Sequence, residues 1–171
     1  MWSTSVLEHI VANEEPDIVV MEYVERYSGN AVNGMNVPEA SIVEYVTGET
    51  ELPRETFSIF SCVDSLDTEN QICVVSGWAF LMDRNSVKGS LHVGLKCGDE
   101  VVWCDTSSVN RPDVTAAYAE SSGGLDLNAS GFYVTFDRTA LHEGKWELII
   151  AIDDGESEPV YGKLGKRVRI N

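Results

Sequence analysis

The chain has 171 residues, of which 43% are hydrophobic, and this is enough apolar material for one full domain and an additional segment. Its 28 acidic residues outnumber the 12 basic ones, and the formal net charge of −16 disfavours nucleic acids and anionic membrane surfaces as partners. No stretch approaches the roughly 20 apolar residues of a membrane span, and the first residues lack the basic start and apolar core of a signal peptide. We therefore expect either a cytosolic protein or a piece of a longer chain.

Residues 1–54 predict an α/β remnant followed by a linker. A helix is predicted near Thr4–Asn13, because apolar residues recur there at helical spacing after a serine-rich cap. A strand is predicted near Ile18–Tyr23, and its two apolar faces require neighbouring strands that this segment does not supply. The segment therefore looks like the end of a larger α/β domain. A linker is predicted from Ser28 to Arg54, in which Ser41–Val46 forms a short strand or a helical turn.

Residues 55–171 predict a mainly β domain. The longest apolar run, Gln71–Leu81, is apolar on both alternating faces and is expected at the centre of a packed sheet. The other strands are predicted at Thr56–Val63, Ser90–Cys97, Val101–Thr106, Phe132–Phe136, Trp146–Ile152 and Lys166–Ile170. Trp146 is expected in the core. The predicted fold is an immunoglobulin-like antiparallel β-sandwich preceded by a short α/β segment.

The hairpin around Gly98–Asp99 has a register that assigns its two faces. A two-residue turn at this position pairs Cys97 with Glu100 and places Trp103 opposite Gly94. The core face is then predicted to carry Leu91, Val93, Leu95, Val102 and Cys104. The outer face is predicted to carry His92, Gly94, Lys96, Val101 and Trp103. On this outer face the Trp103 ring is expected to cover the bare backbone of Gly94.

The cysteines Cys62, Cys73, Cys97 and Cys104 occur without a Cys-x-x-Cys motif or a histidine at ligand spacing, so no metal site is predicted. The hairpin register excludes a bond between Cys97 and Cys104. We favour four free, buried thiols. The alternative is a Cys62–Cys73 disulfide, because both residues are equidistant from a turn predicted at Asp67–Thr68.

No residue set in the sequence indicates catalysis. His9, His92 and His142 lie in no nucleophile or triad motif, so no catalytic residue, metal ligand or cofactor is predicted. The run Asp153-Asp154-Gly155 is predicted as a turn rather than a calcium loop. In Arg111-Pro112-Asp113, proline and aspartate are typical of the first turn of a helix. We expect Arg111 to hold the Ser-Gly-rich loop that follows; the alternative is that it binds sugar hydroxyls.

Three short motifs follow one another in the β-domain: Gly77-Trp78-Ala79, Arg111-Pro112-Asp113-Val114 and Gly131-Phe132. Over about residues 71–153, this set resembles the accessory β-sandwich of bacterial glycosyltransferases and other surface-polysaccharide enzymes. Separately, Pro16–Tyr27 resembles the closing strand of SGNH-hydrolase-like domains. The nearest of these are the alginate-type polysaccharide O-acetyltransferases, in which a β-sandwich follows the catalytic domain. The resemblance implies that the catalytic Ser, Asp and His lie upstream of the matched residues.

From this resemblance we expect a non-catalytic accessory β-sandwich of a bacterial cell-surface polysaccharide-modifying enzyme. The implied partners are a polysaccharide and an upstream catalytic domain, and the implied location is extracytoplasmic or at the cell surface. The alternative is a structural or protein-interaction sandwich without a glycan ligand. The candidate carbohydrate-binding residues are Trp103, His92, Lys96, Tyr118, Tyr133 and Arg111. Contact is expected to centre on Trp103, unless the linker around Ile42–Val46 covers that face.

Overall fold

The structure is a computed structural model, and it describes residues 42–47, 52–68, 71–86 and 89–171. All of these belong to one unit, residues 40–171. The helix predicted near Thr4–Asn13 and the strand predicted near Ile18–Tyr23 lie outside the described residues, as does most of the predicted linker.

The described residues form mainly β-strands, as their short alternating apolar runs predict. In chain order the strands are β1 (Ile42–Thr47), β2 (Arg54–Glu55), β3 (Ile59–Asp67), β4 (Ile72–Leu81), β5 (Ser90–Cys97), β6 (Glu100–Cys104), β7 (Thr106–Val109), β8 (Gly131–Asp137), β9 (Gly144–Asp153) and β10 (Val160–Ile170). Helix α1 (Pro112–Tyr118) lies between β7 and β8. Short 3-10 turns at Asn128–Ser130 and Arg138–Ala140 precede and follow β8.

The strands form two sheets that pack against each other. Within the described residues, one sheet has six strands in the order β1-β6-β5-β9-β10-β2, and the other has four in the order β3-β4-β8-β7. The pairing of β2 with β10 is parallel, and the other described pairs are antiparallel. Strand β4 lies inside its sheet, so the prediction of a central strand at Gln71–Leu81 is confirmed.

The main core lies between the two sheets. Alternate residues of β4 and β8, including Val75 and Phe132, meet alternate residues of β5 and β9, including Val93 and Leu148. Trp146 is fully buried among them, and its indole N–H donates a 3.1 Å hydrogen bond to the backbone oxygen of His142. This packing confirms the predicted β-sandwich and the burial of Trp146.

The β5–β6 hairpin has the predicted register. Gly94 pairs with Trp103 and Cys97 pairs with Glu100 across the turn. The predicted strand Val101–Thr106, however, ends at Cys104, because the chain crosses at Asp105 to the other sheet and continues there as β7. Alternation along one strand does not reveal such a change of sheet, since both halves keep the same period.

Several strands have bounds that differ from the predicted ones, and β10 begins at Val160, six residues before the predicted start at Lys166. Residues Ile42–Thr47 form a strand, one of the two conformations expected there, and it pairs with β6 at the edge of the six-stranded sheet. Strand β3 runs to Asp67, beyond the predicted end at Val63, and its register shifts at Asp64. This β-bulge places an additional residue in the edge strand.

The cysteine positions answer the disulfide question. All of the thiols are free, and the Cys62–Cys73 alternative is wrong. Asp67 pairs with Val74 and is therefore part of the strand rather than of the predicted turn at Asp67–Thr68, and Cys62 pairs with Trp78. The favoured prediction of free thiols holds, but burial applies to Cys73 and Cys104, whereas Cys62 is exposed.

Candidate functional site

The candidate carbohydrate-binding residues are divided between the two outer faces of the sandwich. Trp103, His92 and Lys96 lie on the outer face of the six-stranded sheet, because they alternate along β5 and β6 with residues of the core. Tyr133 lies on the outer face of the four-stranded sheet, and the segment with Arg111 and Tyr118 packs on that same face. The six residues therefore cannot form one site.

On the six-stranded sheet, Trp103 covers Gly94 as predicted. A Cβ atom at position 94 would lie 2.8 Å from Trp103 Cε3, so only glycine fits beneath the ring. The indole is half-buried and packs beside Val101 and Ile149, which are fully buried. The apolar surface around Trp103 is thus largely covered rather than open.

The polar candidates on this face have partners of their own. His92 is exposed and shares a 2.9 Å hydrogen bond with Ser90 Oγ. Lys96 is half-buried and pairs in register with Glu147 of β9. The linker around Ile42–Val46, expected as a cover, instead continues the sheet beside β6. It lies along the edge of Trp103's sheet.

The four-stranded sheet carries an aromatic cluster on its outer face. The rings of Phe60 and Trp78 each stack on Phe80 at a centroid distance of 5.6 Å, and Tyr118 of α1 meets Phe80 edge-on at 5.0 Å. Phe80 is 1% exposed, whereas Phe60 is 41% exposed and Trp78 and Tyr118 are half-buried. The cluster is therefore closed at its centre and open at its rim.

Arg111 links helix α1 to strand β3 on this face through two ion pairs. Its guanidinium donates to both carboxylate oxygens of Asp113, from Nε at 2.9 Å and from Nη2 at 2.7 Å. Its remaining Nη1 donates to Asp64, the bulge residue of β3. Arg111 is 8% exposed, and these charge-assisted bonds raise its own pKa and lower the pKa of Asp113. The sequence predicted that Arg111 would hold the following loop, but its side chain instead joins helix α1 to the opposite edge strand.

The three motifs meet at this point. The Arg111 stem lies over Gly131, where a Cβ atom would be 2.6 Å from Arg111 Cγ and 2.4 Å from the Val109 carbonyl oxygen. Gly131 pairs with Trp78. Gly77, next to Trp78, faces the core, and its missing side chain makes room for the Phe132 ring. Each glycine of the motifs therefore accommodates a neighbouring group.

Tyr133 lies one row away from the aromatic cluster. It pairs with Ser76 of β4 and Ser107 of β7, and Ser76 Oγ in turn is 2.8 Å from Ser65 Oγ on β3. Burial raises the pKa of the Tyr133 phenol. Hydroxyl groups thus form a row across the sheet next to the Arg111 ion pairs.

The sequence missed Phe60 and Trp78 as candidate site residues. Trp78 was assigned only to a motif, and Phe60 to a strand. The signal lay in β4, where Trp78 and Phe80 are two residues apart and therefore share the face opposite the core. The partner residue Phe60 is aligned with Phe80 by the β3–β4 register, which the bulge makes difficult to predict.

Two of the four thiols are buried and are poor nucleophiles near neutral pH. Burial raises the pKa of Cys73 to about 11 and that of Cys104 to about 12, so both remain protonated near neutral pH. His142 has Nε2 at 2.5 Å from Glu100 Oε2 and Nδ1 at 2.8 Å from the Glu143 carbonyl oxygen, so both ring nitrogens are engaged. The described residues contain no group of three or more metal-binding side chains.

Within the described ranges, no helix is long and apolar enough to cross a membrane. Comparison of the chain with protein-family models, curated proteins and solved structures finds no match.

Proposed function

We propose that this chain is a non-catalytic accessory module, an immunoglobulin-like β-sandwich of a bacterial cell-surface polysaccharide-modifying enzyme. It binds carbohydrate on the outer face of its four-stranded sheet. The observation that carries the proposal is the aromatic cluster of Phe60, Trp78 and Tyr118, which is open at its rim and lies beside the Asp64–Arg111–Asp113 ion pairs. The resemblance adds the upstream catalytic domain and the extracytoplasmic or cell-surface location.

This combination of groups suits a sugar. The C–H face of a pyranose packs on aromatic rings, while its hydroxyls need fixed donors and acceptors nearby. The carboxylates of Asp64 and Asp113 are 40% and 55% exposed, so each retains oxygen atoms for further hydrogen bonds. Ser65, Ser76 and Tyr133 add hydroxyl groups along the same face.

The six-stranded sheet is the weaker location for a glycan. Trp103 there packs beside Val101 and Ile149, which are fully buried, and its ring is committed to covering Gly94. We therefore place the centre of sugar contact on Phe60 and Tyr118, with Tyr133 and Arg111 at the margin. Trp103, His92 and Lys96 are assigned to a separate surface.

The alternative is a structural or protein-interaction sandwich. One observation favours it: Trp78, Phe80 and Tyr118 hold helix α1 on the sheet together with the buried Val114, and all three guanidinium nitrogens of Arg111 already bind carboxylates. In that case the cluster fixes α1 and contacts no ligand.

Substitution of Phe60 distinguishes the two functions. We expect the full chain to bind one or more members of a panel of neutral and acidic bacterial polysaccharides, measured by calorimetric titration. Phe60→Ala should weaken that binding roughly 2- to 12-fold, because an aromatic contact contributes about 0.5–1.5 kcal/mol. Phe60 is partly exposed on an edge strand, so the fold is expected to survive.

Phe57→Ala is the matched control, since Phe57 is 95% exposed and belongs to no aromatic pair among the described residues. It should leave binding unchanged. Equal losses from Phe57→Ala and Phe60→Ala, or no binding of any polysaccharide by the folded chain, would favour the structural alternative.

A further inference from the structure

Basic side chains are concentrated on two neighbouring strands. Five of the 12 lysines and arginines lie in β9 and β10, although the chain as a whole carries a net charge of −16. They are Lys145, Lys163, Lys166, Arg167 and Arg169. The distribution contrasts with the acidic composition of the rest of the chain.

Register places three of these cations together on the outer face of the six-stranded sheet. Arg169 pairs directly with Lys145, and Arg167 pairs with Glu147, alternating with Val168 and Trp146 in the core. We call Lys145, Arg167 and Arg169 the basic strip. The Arg167 side chain is 69% exposed and lies 3.3 Å from Glu147 Oε1. Glu147 also lies 4.0 Å from Lys163, whose closer partner is Glu55 at 3.2 Å.

The strip contains an uncompensated pair. Among the described residues, neither Lys145 nor Arg169 has a carboxylate in ion-pair distance, and like charges directly opposite each other destabilise a sheet. Cations on strands often serve to prevent edge-to-edge association. An acidic pair at these two positions would repel equally, but only a basic pair attracts an anionic group, and it does so most strongly where no carboxylate of the chain neutralises it. The sign of the charge therefore points to a negatively charged partner.

The strip also borders an open edge. Strand β2 pairs with β10 only at Val160 and Tyr161, so from Gly162 to Ile170 the outer edge of β10 has no strand neighbour among the described residues. Arg138 Nη2 donates a 2.9 Å hydrogen bond to the Arg169 carbonyl oxygen. One backbone acceptor at this edge is therefore already in use, whereas the charged ends of the strip's side chains face away from the core.

We propose that the basic strip docks an extended acidic polypeptide segment with carboxylates at alternate positions. Residues i and i+2 of a strand lie about 6.8 Å apart, so Arg167 and Arg169 have the same spacing as alternate side chains of an extended peptide. An arginine fork binds a carboxylate through two parallel hydrogen bonds, which makes the contact stronger than a point charge alone. Lys145 adds a third cation beside Arg169.

A polypeptide suits this surface better than a nucleic acid. Duplex DNA carries one negative charge per about 1.7 Å of helix axis. The chain has a net charge of −16 and therefore repels such a densely charged polymer. A short acidic segment has fewer and more widely spaced negative charges than DNA, so the acidic residues elsewhere on the chain repel it less while it contacts the strip.

A labelled peptide of five Glu-Thr repeats tests the proposal by fluorescence anisotropy with the full chain. We expect saturable binding that weakens as salt is raised. A Gln-Thr peptide and a block peptide of five Glu followed by five Thr should bind at least about fivefold more weakly, because they lack the charge or the alternation. Arg169→Glu should weaken binding of the alternating peptide about tenfold.

Arg54→Glu is the matched control, since Arg54 is exposed and pairs with Val160, roughly 30 Å along β10 from Arg169. It should change affinity less than twofold. Arg169→Gln, which removes charge without reversing it, should give an intermediate loss and serves if the reversal disturbs folding. The proposal is overturned if the alternating peptide does not bind, or if both peptides with Glu bind equally. Tighter, Arg169-dependent binding of polygalacturonate or duplex DNA would also overturn it.

Discussion

On each outer face of the sandwich a large side chain covers a strand glycine, but the contacts that hold this side chain differ between the two faces. On the six-stranded sheet, the Trp103 ring lies over Gly94, and on the four-stranded sheet the Arg111 stem lies over Gly131. The first contact joins two strands of one hairpin. The second belongs to a network that reaches 47 residues along the chain to Asp64. A local register suffices for one face, whereas the other needs several elements in place at once.

Alanine at the two glycines should separate the faces most clearly. Gly131→Ala should lower the free energy of unfolding by about 2–3 kcal/mol, because the new Cβ meets the Val109 carbonyl oxygen at 2.4 Å and this backbone cannot move freely. Gly94→Ala should cost about 1 kcal/mol, since its obstacles are side-chain atoms of Trp103 and Ile149. Urea denaturation of both variants measures the difference.

Gly123→Ala separates steric from conformational effects, since a Cβ there meets nothing within 4 Å but the backbone φ is +68°. The unfolding free energy lost in this variant therefore measures only the cost of a positive φ for alanine. Equal losses of unfolding free energy from Gly94→Ala and Gly131→Ala would contradict the expected difference between the two faces.

The Arg111 network should also resist a conservative change. Arg111→Lys should lower the free energy of unfolding by about 1–2 kcal/mol, because an ammonium cannot make the paired bonds to Asp113 while reaching Asp64. The expected loss is below that of a fully buried ion pair, since both carboxylates are partly hydrated. Thermal and urea unfolding measure it, with Arg54→Lys as the control. A loss below about 0.3 kcal/mol would show that the network adds little to the fold.

The two sheets should respond to pH in opposite directions. His142 is bound to the Glu143 carbonyl and to Glu100 of β6, and these contacts raise its pKa above 6.5. Its contribution to stability is therefore complete below pH 6.5 and is lost as pH rises through the folded-state pKa. Arg111 lowers the pKa of Asp113 below 3.8. The stability that the Asp113 carboxylate contributes is therefore present above pH 3.8 and is lost as pH falls through its folded-state pKa.

Urea midpoints between pH 5.5 and 8.5 test the histidine, which should have the smallest effect because it is exposed. The difference between the unsubstituted chain and His142→Gln should shrink as pH rises. A difference that stays constant over this range would show that titration of His142 is not linked to folding. Asp113→Asn should be destabilising at pH 7 and unaffected by this pH change.

Much of the fold follows from local sequence patterns. Alternation with a period of two identified strands at Phe132–Phe136, Trp146–Ile152 and Lys166–Ile170, because neighbouring side chains of a strand must face opposite sides. The Gly98–Asp99 turn likewise determined the register that places Trp103 over Gly94. Proline at position 112 and aspartate at 113 marked the start of α1.

The tertiary structure decided the contacts between distant elements. The bulge at Asp64 and the register in which Asp67 pairs with Val74 set Cys62 opposite Trp78, whereas equal spacing from a predicted turn suggested Cys73. Packing of α1 on the four-stranded sheet gave Arg111 its partner Asp64 and put Tyr118 beside Trp78. The sequence alone determined which residues alternate within a strand, since that depends on backbone geometry. Which outer face each candidate occupies was decided by the order of strands in the sheets, which depends on packing between segments far apart in the chain.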